Sequence, residues 1–146
     1  MHEAESLALL VADVFEAAGA LRGHGDKLAA AVGQTQARWQ VLSVLSEGEW
    51  TVATAARRLG VTRQNVQRIA DLLVADGLAS YELNPRHHGS PHVRLTTDGR
   101  QALEVITAAS LAWRKEAIDG ISQEDLTTAR RVLRTLITKA EVKGRH

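Results

Sequence analysis

The chain contains no cysteine, which removes disulfides from its stabilisation and thiol chemistry from any sensing role. It has no apolar run approaching the roughly 18 residues that a membrane-spanning helix requires. The stretch "LALLVA" at 7–12 is met at once by Asp13 and Glu16. The N-terminus lacks a basic-then-apolar order, so neither a signal peptide nor a membrane partner is expected, and the cytoplasm is the default location. Glycine-rich phosphate loops, nucleophile elbows and paired carboxylates amid a histidine cluster are also missing; "GHGDK" at 23–27 lacks the first glycine and the hydroxyl residue of a Walker loop. An enzyme is therefore not expected: no catalytic residue is assigned and no cofactor is implied. Aromatics are scarce, with three Trp, one Tyr and one Phe, and there are two prolines, both in one short segment at 84–91.

What remains is an ordinary globular composition, 45% hydrophobic and 24% charged over 146 residues, enough for one domain with a real core. The net charge of +1 hides an uneven distribution. Residues 1–56 carry three bases against seven acids, a net of −4. Residues 57–100 carry seven arginines and no lysine against four acids, a net of +3, with His87, His88 and His92 in the same stretch. The remainder, 101–146, is +2. An all-arginine basic segment suits bidentate contact with phosphates and guanine edges, because the guanidinium is a planar fork.

Apolar periodicity reads as mostly helical. Leu7, Leu10, Val11, Val14, Ala18 and Leu21 repeat at three-and-four spacing and predict a helix over about 5–22, which "GHG" at 23–25 should break or fray. His24 is then a loop residue. Thr35 caps a second helix through Trp39, Leu42 and Leu45, and Thr51 a short third one, with Trp50 placed to staple its first turn and Gly60 to end it. Thr62 caps a fourth helix that ends at Gly77. "LASYEL" and "HVRLT" then form a hairpin around "NPRHHGSP", whose prolines stop it extending as a regular ladder. Thr96 or Thr97 opens a long helix over about 98–119, with Leu103, Ile106, Ala109 and Trp113 as its apolar positions. Ser122 starts a last helix through Leu126, Ala129, Leu133, Leu136, Ile137 and Ala140, and the closing "KGRH" should fray.

Helix, helix, hairpin across 51–96 is the order of a winged helix-turn-helix, so the fold class is mainly α with a small β-hairpin wing. Ala56 and Gly60 allow a close helix crossing and a tight turn, with Ala55, Leu59, Val61, Val66 and Ile69 as the apolar set. If Val66, Ile69, Ala70 and Leu73 face inward, then Arg63, Gln64, Gln67 and Arg68 face out, with Asn65 beside them. These side chains stand at the leading end of the second helix, the part that enters a DNA major groove. Arginine suits guanine O6/N7, and Gln or Asn suits adenine N6/N7. Thr62 and the first backbone amides can hold a phosphate at the positive helix end.

From about residue 34 to 100 the chain resembles the multiple-antibiotic-resistance regulator (MarR) family. The resemblance is carried by "TQARWQVLSVL", "TVATAARRLGVTRQNVQRIADLLVADGL" and a wing leading into "VRLTTDGR". It implies a single MarR-like domain over 1–146, with a winged helix-turn-helix DNA-binding lobe at 34–100 and dimerisation helices at 5–22 and 98–140. It further implies a homodimeric repressor that binds a pseudo-palindromic double-stranded operator. The recognition helices would sit in major grooves and the wings, with Arg86, His87, His88 and Arg94, at the flanking DNA. The family wing commonly reads Asp-x-Arg-Asp-Arg-Arg; here Asn84 replaces the leading Asp and histidines with Gly89 replace other charges, so the usual Asp–Arg brace is in doubt. Histidine titrates near neutrality, which makes the charge of this wing depend on pH.

A metal site is not expected: His88 and His92 flank Pro91 on a hairpin, and closed zinc sites need three or four converging ligands. Family members often bind small aromatic or phenolic effectors, and Arg38 with Trp39 is the candidate lining of such a cleft; the other reading of Trp39 is a core anchor. The competing functional class is a winged-helix protein–protein module without DNA binding, which would show no salt-dependent affinity for duplex DNA.

Overall fold

Hydroxyl side chains open five of the six helices found among residues 2–143, the part of the chain described by the computed structural model. Thr35 accepts from the Arg38 amide at the start of α2 (Gln36–Leu45). Thr51 and Thr54 form a reciprocal capping box on α3 (Val52–Leu59). Thr62 accepts from the Asn65 amide at α4 (Arg63–Ala75), Thr96 from the Gly99 amide at α5 (Thr97–Ala117), and Ser122 from the Asp125 amide at α6 (Gln123–Lys143). Each such bond satisfies an amide that the helix itself leaves unpaired. The expected fraying of "KGRH" falls, beyond Lys143, outside the described residues.

The first helix corrects the sequence reading. α1 runs unbroken from Glu3 to Ala30 and passes straight through "GHG", so His24 is a half-buried helical residue and not part of a loop. Interior glycine weakens a helix by about 1 kcal/mol, but Gly25 is buried where α2 crosses. A Cβ at that position would lie 2.6 Å from Gln36 Cγ. Asp26 Oδ1 also accepts from the Gln36 amide at 2.9 Å. The glycine therefore serves close helix contact, and tertiary packing outweighs its propensity.

Three strands accompany the helices: β1 (Trp50–Thr51), β2 (Ala79–Glu82) and β3 (His92–Leu95). They form one antiparallel sheet in the order β1-β3-β2, with Trp50 opposite Val93 and Tyr81 also opposite Val93. The hairpin matches the expectation; β1 is an addition to it. The main core joins Val41, Leu42 and Leu45 of α2 to Ile69, Ala70 and Leu73 of α4 and to Ala79, Val93, Leu95 and Ile106. Trp39 packs against its edge, as a core anchor would. A second cluster of Val44, Ala55, Ala56 and Val66 locks α3 on α4, and Gly60 makes the turn between them at φ +68°. Two expected apolar contacts are not made: Val61 is 40% exposed, and on α5 it is Ser110, not Ala109, that is buried.

Where α5 begins, backbone meets backbone. Thr96 donates its amide to Leu78 O at 3.1 Å and its hydroxyl to Gly77 O at 2.6 Å. Gly99 lies so close that a Cβ would sit 1.9 Å from Leu78 O.

The chain divides into two compact units, Met1–Ser110 and Leu111–His146. In the first, α1 leaves Leu7, Leu9, Val11, Val14, Phe15 and Leu21 uncovered, Phe15 at 74% exposure. In the second, Leu111, Ile118, Ile121, Leu133 and Ile137 are likewise exposed, and Gly120 turns the chain between α5 and α6 at φ +79°.

Candidate nucleic-acid interface

The candidate site follows from which face of α4 the core takes. Val66, Ile69, Ala70 and Leu73 are all buried, so the intervening positions must project outward. Arg63, Gln64, Gln67 and Arg68 are exposed and Asn65 is half-buried. All stand in the first two turns, at the positive end of the helix dipole. The side chains of Arg63 and Gln64 make no hydrogen bond or ion pair among the described residues, so their donors are available to a ligand. Together with Gln67, Arg68 and Val52 they line an open groove of about 590 Å³.

Other polar groups here are already engaged. Arg68 Nη2 donates to Asn65 Oδ1 at 3.0 Å, which steadies both side chains one turn apart. Thr62 accepts from the Asn65 amide, leaving its hydroxyl hydrogen free to donate. Gln67 Nε2 reaches both Asp71 Oδ1 (3.0 Å) and the Tyr81 phenol oxygen (2.9 Å), and the phenol donates to the same Asp71 oxygen. Burial, and then the hydrogen bond and charge of Asp71, push the Tyr81 phenol up to about 12. Sequence reasoning missed this cluster: Gln67 and Asp71 stand at i and i+4 on α4, a spacing that could have signalled their bond, but no local pattern brings in Tyr81 of β2.

The wing is pinned by Asn84, which is 6% exposed. Its Nδ2 donates to Ser90 O at 2.9 Å, and its Oδ1 accepts from the Arg86 amide at 3.1 Å. The residue that departs from the family pattern thus closes the tip from within, with a neutral side chain bonded to the backbone. The side chains of Arg86, His87 and His88 are exposed at that tip. Arg94 differs from the other candidate residues: it pairs with Glu49 at 3.0 Å and with Glu82 at 2.9 Å, across the sheet. Its charge is largely matched before any ligand arrives.

Three of the four acids of this segment are thus taken up internally. Asp71 faces Tyr81 and Gln67, Glu82 faces Arg94, and Asp76 pairs with Arg38 at 2.7 Å. Arg63 and Arg86 carry charge with no acidic partner among the described residues, so the leading end of α4 and the wing tip present net positive charge. Arg38 and Trp39 lie elsewhere, on α2. Arg38 Nε donates to Gln34 Oε1 at 2.9 Å, so its guanidinium ties the start of α2 to the C-terminal end of α4.

Comparison with known proteins places this geometry in context. The sequence profile of the MarR family matches residues 32–88. An uncharacterized protein of Mycobacterium tuberculosis is 49% identical over 139 residues, covering 94% of this chain and 97% of its own. Among solved structures, the M. tuberculosis transcriptional regulator MOSR in complex with DNA superposes with a TM-score of 0.72 at 24% identity, over 90% of this chain and 96% of that one. CouR from Rhodococcus jostii, solved with p-coumaroyl-CoA bound, gives 0.76 at 19% identity, over 92% and 93%.

Proposed function

The chain belongs to the MarR family of winged helix transcription regulators, and from that premise we propose that it is a homodimeric repressor reading a pseudo-palindromic DNA operator. One observation carries the reading. A buried apolar stripe holds α4 so that Arg63, Gln64, Gln67 and Arg68 project from its positive end, which is the arrangement a major-groove reader needs. Arg63 serves guanine, Gln64 and Gln67 serve bases bearing amino groups, and Arg68 with Asn65 contacts bases or phosphate. Thr62 and the first amides of α4 hold a backbone phosphate. Arg86, His87 and His88 at the wing tip meet the flanking minor groove, while Arg94 acts through the wing strands it braces.

Dimerisation is supported by the uncovered apolar side chains of α1 and, separately, of α6. Faces of that kind on one chain are covered by a second copy in a symmetric dimer. Two reading heads on one body gain a large effective concentration over one, on the order of 100-fold or more. Half-sites then lie about one helical turn apart, roughly 10 bp centre to centre.

An effector fits this scheme at Arg38. A small anionic or phenolic ligand that competes with Asp76 for the guanidinium would act on the end of α4 directly, and it shifts the dimer only if it prefers the state that misfits the operator. The bound p-coumaroyl-CoA in CouR supports an aromatic acyl ligand class. The test of the whole reading is selection from a randomised duplex library with the purified chain. Recovery of an inverted repeat with salt-sensitive affinity is the expected result, and the absence of any enriched sequence overturns it.

A further inference from the structure

On the reading face, the amide of Gln67 is held by two partners at once, a carboxylate and a phenol. Its Nε2 lies against Asp71 Oδ1 at 3.0 Å and the Tyr81 phenol at 2.9 Å. The phenol hydrogen is committed to the same Asp71 oxygen. Turning the amide over would set its carbonyl oxygen against that carboxylate, acceptor against acceptor, and would remove both bonds. A carboxylate is an acceptor only, so the amide nitrogen stays on Asp71 and Tyr81, and Oε1 is the atom this exposed side chain has left to offer. Oε1 itself has no hydrogen-bond partner among the described residues.

Building on the DNA-binding reading, we propose that Asp71 and Tyr81 are positioning residues that fix Gln67 as a hydrogen-bond acceptor towards the DNA, so that it selects a base carrying an amino group. In the major groove, adenine N6 and cytosine N4 donate, whereas guanine O6 and thymine O4 accept and would face Oε1 unpaired. A free glutamine adapts to either class by rotating its amide; this one does not. The selection is therefore adenine or cytosine over guanine or thymine at one position of each half-site, on the strand that Gln67 faces. Tyr81 belongs to β2, so a residue outside the recognition helix takes part in setting what that helix reads.

The phenol suits this role because it keeps its proton: its titration is pushed up to about 12. A phenolate in its place would lose its bond to Asp71 and repel that carboxylate.

The experiment is library selection on the full-length protein in four forms: wild type, Gln67→Ala, Tyr81→Phe, and the double variant Asp71→Ala with Tyr81→Phe. Wild type should enrich an inverted repeat with a roughly ten-fold preference for adenine or cytosine at one position per half-site. Gln67→Ala and the double variant should keep the rest of the motif and lose that preference. Tyr81→Phe should weaken it, and because it deletes only one partly exposed hydroxyl, it carries the test should the double variant fail to fold. No enriched repeat from wild type would defeat the DNA reading itself. An enriched repeat whose base preference Tyr81→Phe leaves unchanged, the double variant being either unfolded or likewise unchanged, would overturn the positioning role and leave DNA binding standing. A wild-type preference for guanine or thymine at the position lost in Gln67→Ala would do the same.

Discussion

Gly99 is the position where one added methyl group should do most damage to the fold. A Cβ would stand 1.9 Å from Leu78 O, so the start of α5 and the end of the α4–β2 connection would have to separate by more than an ångström. Two bonds hold them at their present distance, the Thr96 amide to Leu78 O at 3.1 Å and the Thr96 hydroxyl to Gly77 O at 2.6 Å, and the Gly99 amide caps onto the same Thr96 Oγ1 at 3.1 Å. Each contributes about 0.5–1.5 kcal/mol net, and forcing extra volume into a packed contact costs about 1–3 kcal/mol. Not all of this is lost at once, so Gly99→Ala should destabilise the protein by about 3 kcal/mol, a large share of the roughly 5–15 kcal/mol that domains possess. Helix propensity works the other way, by at most about 1 kcal/mol. Urea unfolding followed by circular dichroism measures the balance. With a slope of about 2 kcal/mol per molar, the midpoint should fall by about 1.5 M, wild type and variant being compared at equal protein concentration. A midpoint within about 0.3 M of wild type would refute the claim that this backbone contact cannot yield cheaply.

Other perturbations separate reading from folding. Arg63→Ala should cost about 1–3 kcal/mol in operator affinity, relax preference at one base pair and leave the unfolding midpoint unchanged, since its side chain is exposed and makes no hydrogen bond or ion pair among the described residues; equal affinity in a gel-shift titration would remove Arg63 from the reader. Asn84→Ala should weaken binding through the wing, because it releases both Ser90 O and the Arg86 amide, and Arg86→Ala should reduce sensitivity to flanking base pairs; binding curves on operators with altered flanks decide both. Phe15→Glu with Leu21→Glu, at positions 74% and 53% exposed in the single chain, should yield folded monomers that lose tight operator binding, as light scattering and titration would show. The only tyrosine of the chain gives a pH test. Its folded value of about 12 exceeds the ordinary 10.0, so the stability it contributes is complete below pH 10 and is lost as pH rises through 12. Phenolate absorbance should appear at higher pH in the native protein than in urea.

Local chemistry made much of this molecule legible. The caps Thr35, Thr51, Thr62 and Ser122, the turn at Gly60 and the inward stripe of α4 depend on neighbours a few residues away, and those patterns survive in a linear reading. What escaped depends on distant partners. Two residues, Trp50 and Thr51, are too few to show a strand period, and only Val93 and His92 make them β1. "GHG" looks like a break because its compensation, Gln36, lies on another helix. Gly99 gives no sign in sequence of the carbonyl above it. For the candidate site, sequence alone could place Arg94 and Gln67 among charged and polar side chains. It could not show that Glu49 and Glu82 already hold the first, or that Tyr81 joins Asp71 in holding the second.

Thr51 is at once the last residue of β1 and the N-cap of α3. Through the first role it pairs with His92 of the wing; through the second it fixes the helix against which α4 is packed. Arg94 adds a rivet, joining Glu49 ahead of β1 to Glu82 on β2. The wing tip and the leading end of α4 are therefore tied together through β1 and α3, like two jaws of one caliper. On the DNA-binding reading proposed above, such a tool measures: it admits a duplex whose major-groove floor and neighbouring minor groove stand at the spacing of its jaws. On the same reading, a duplex that does not match must bend or change its groove width, and the sequence-dependent cost of that bending enters the selection.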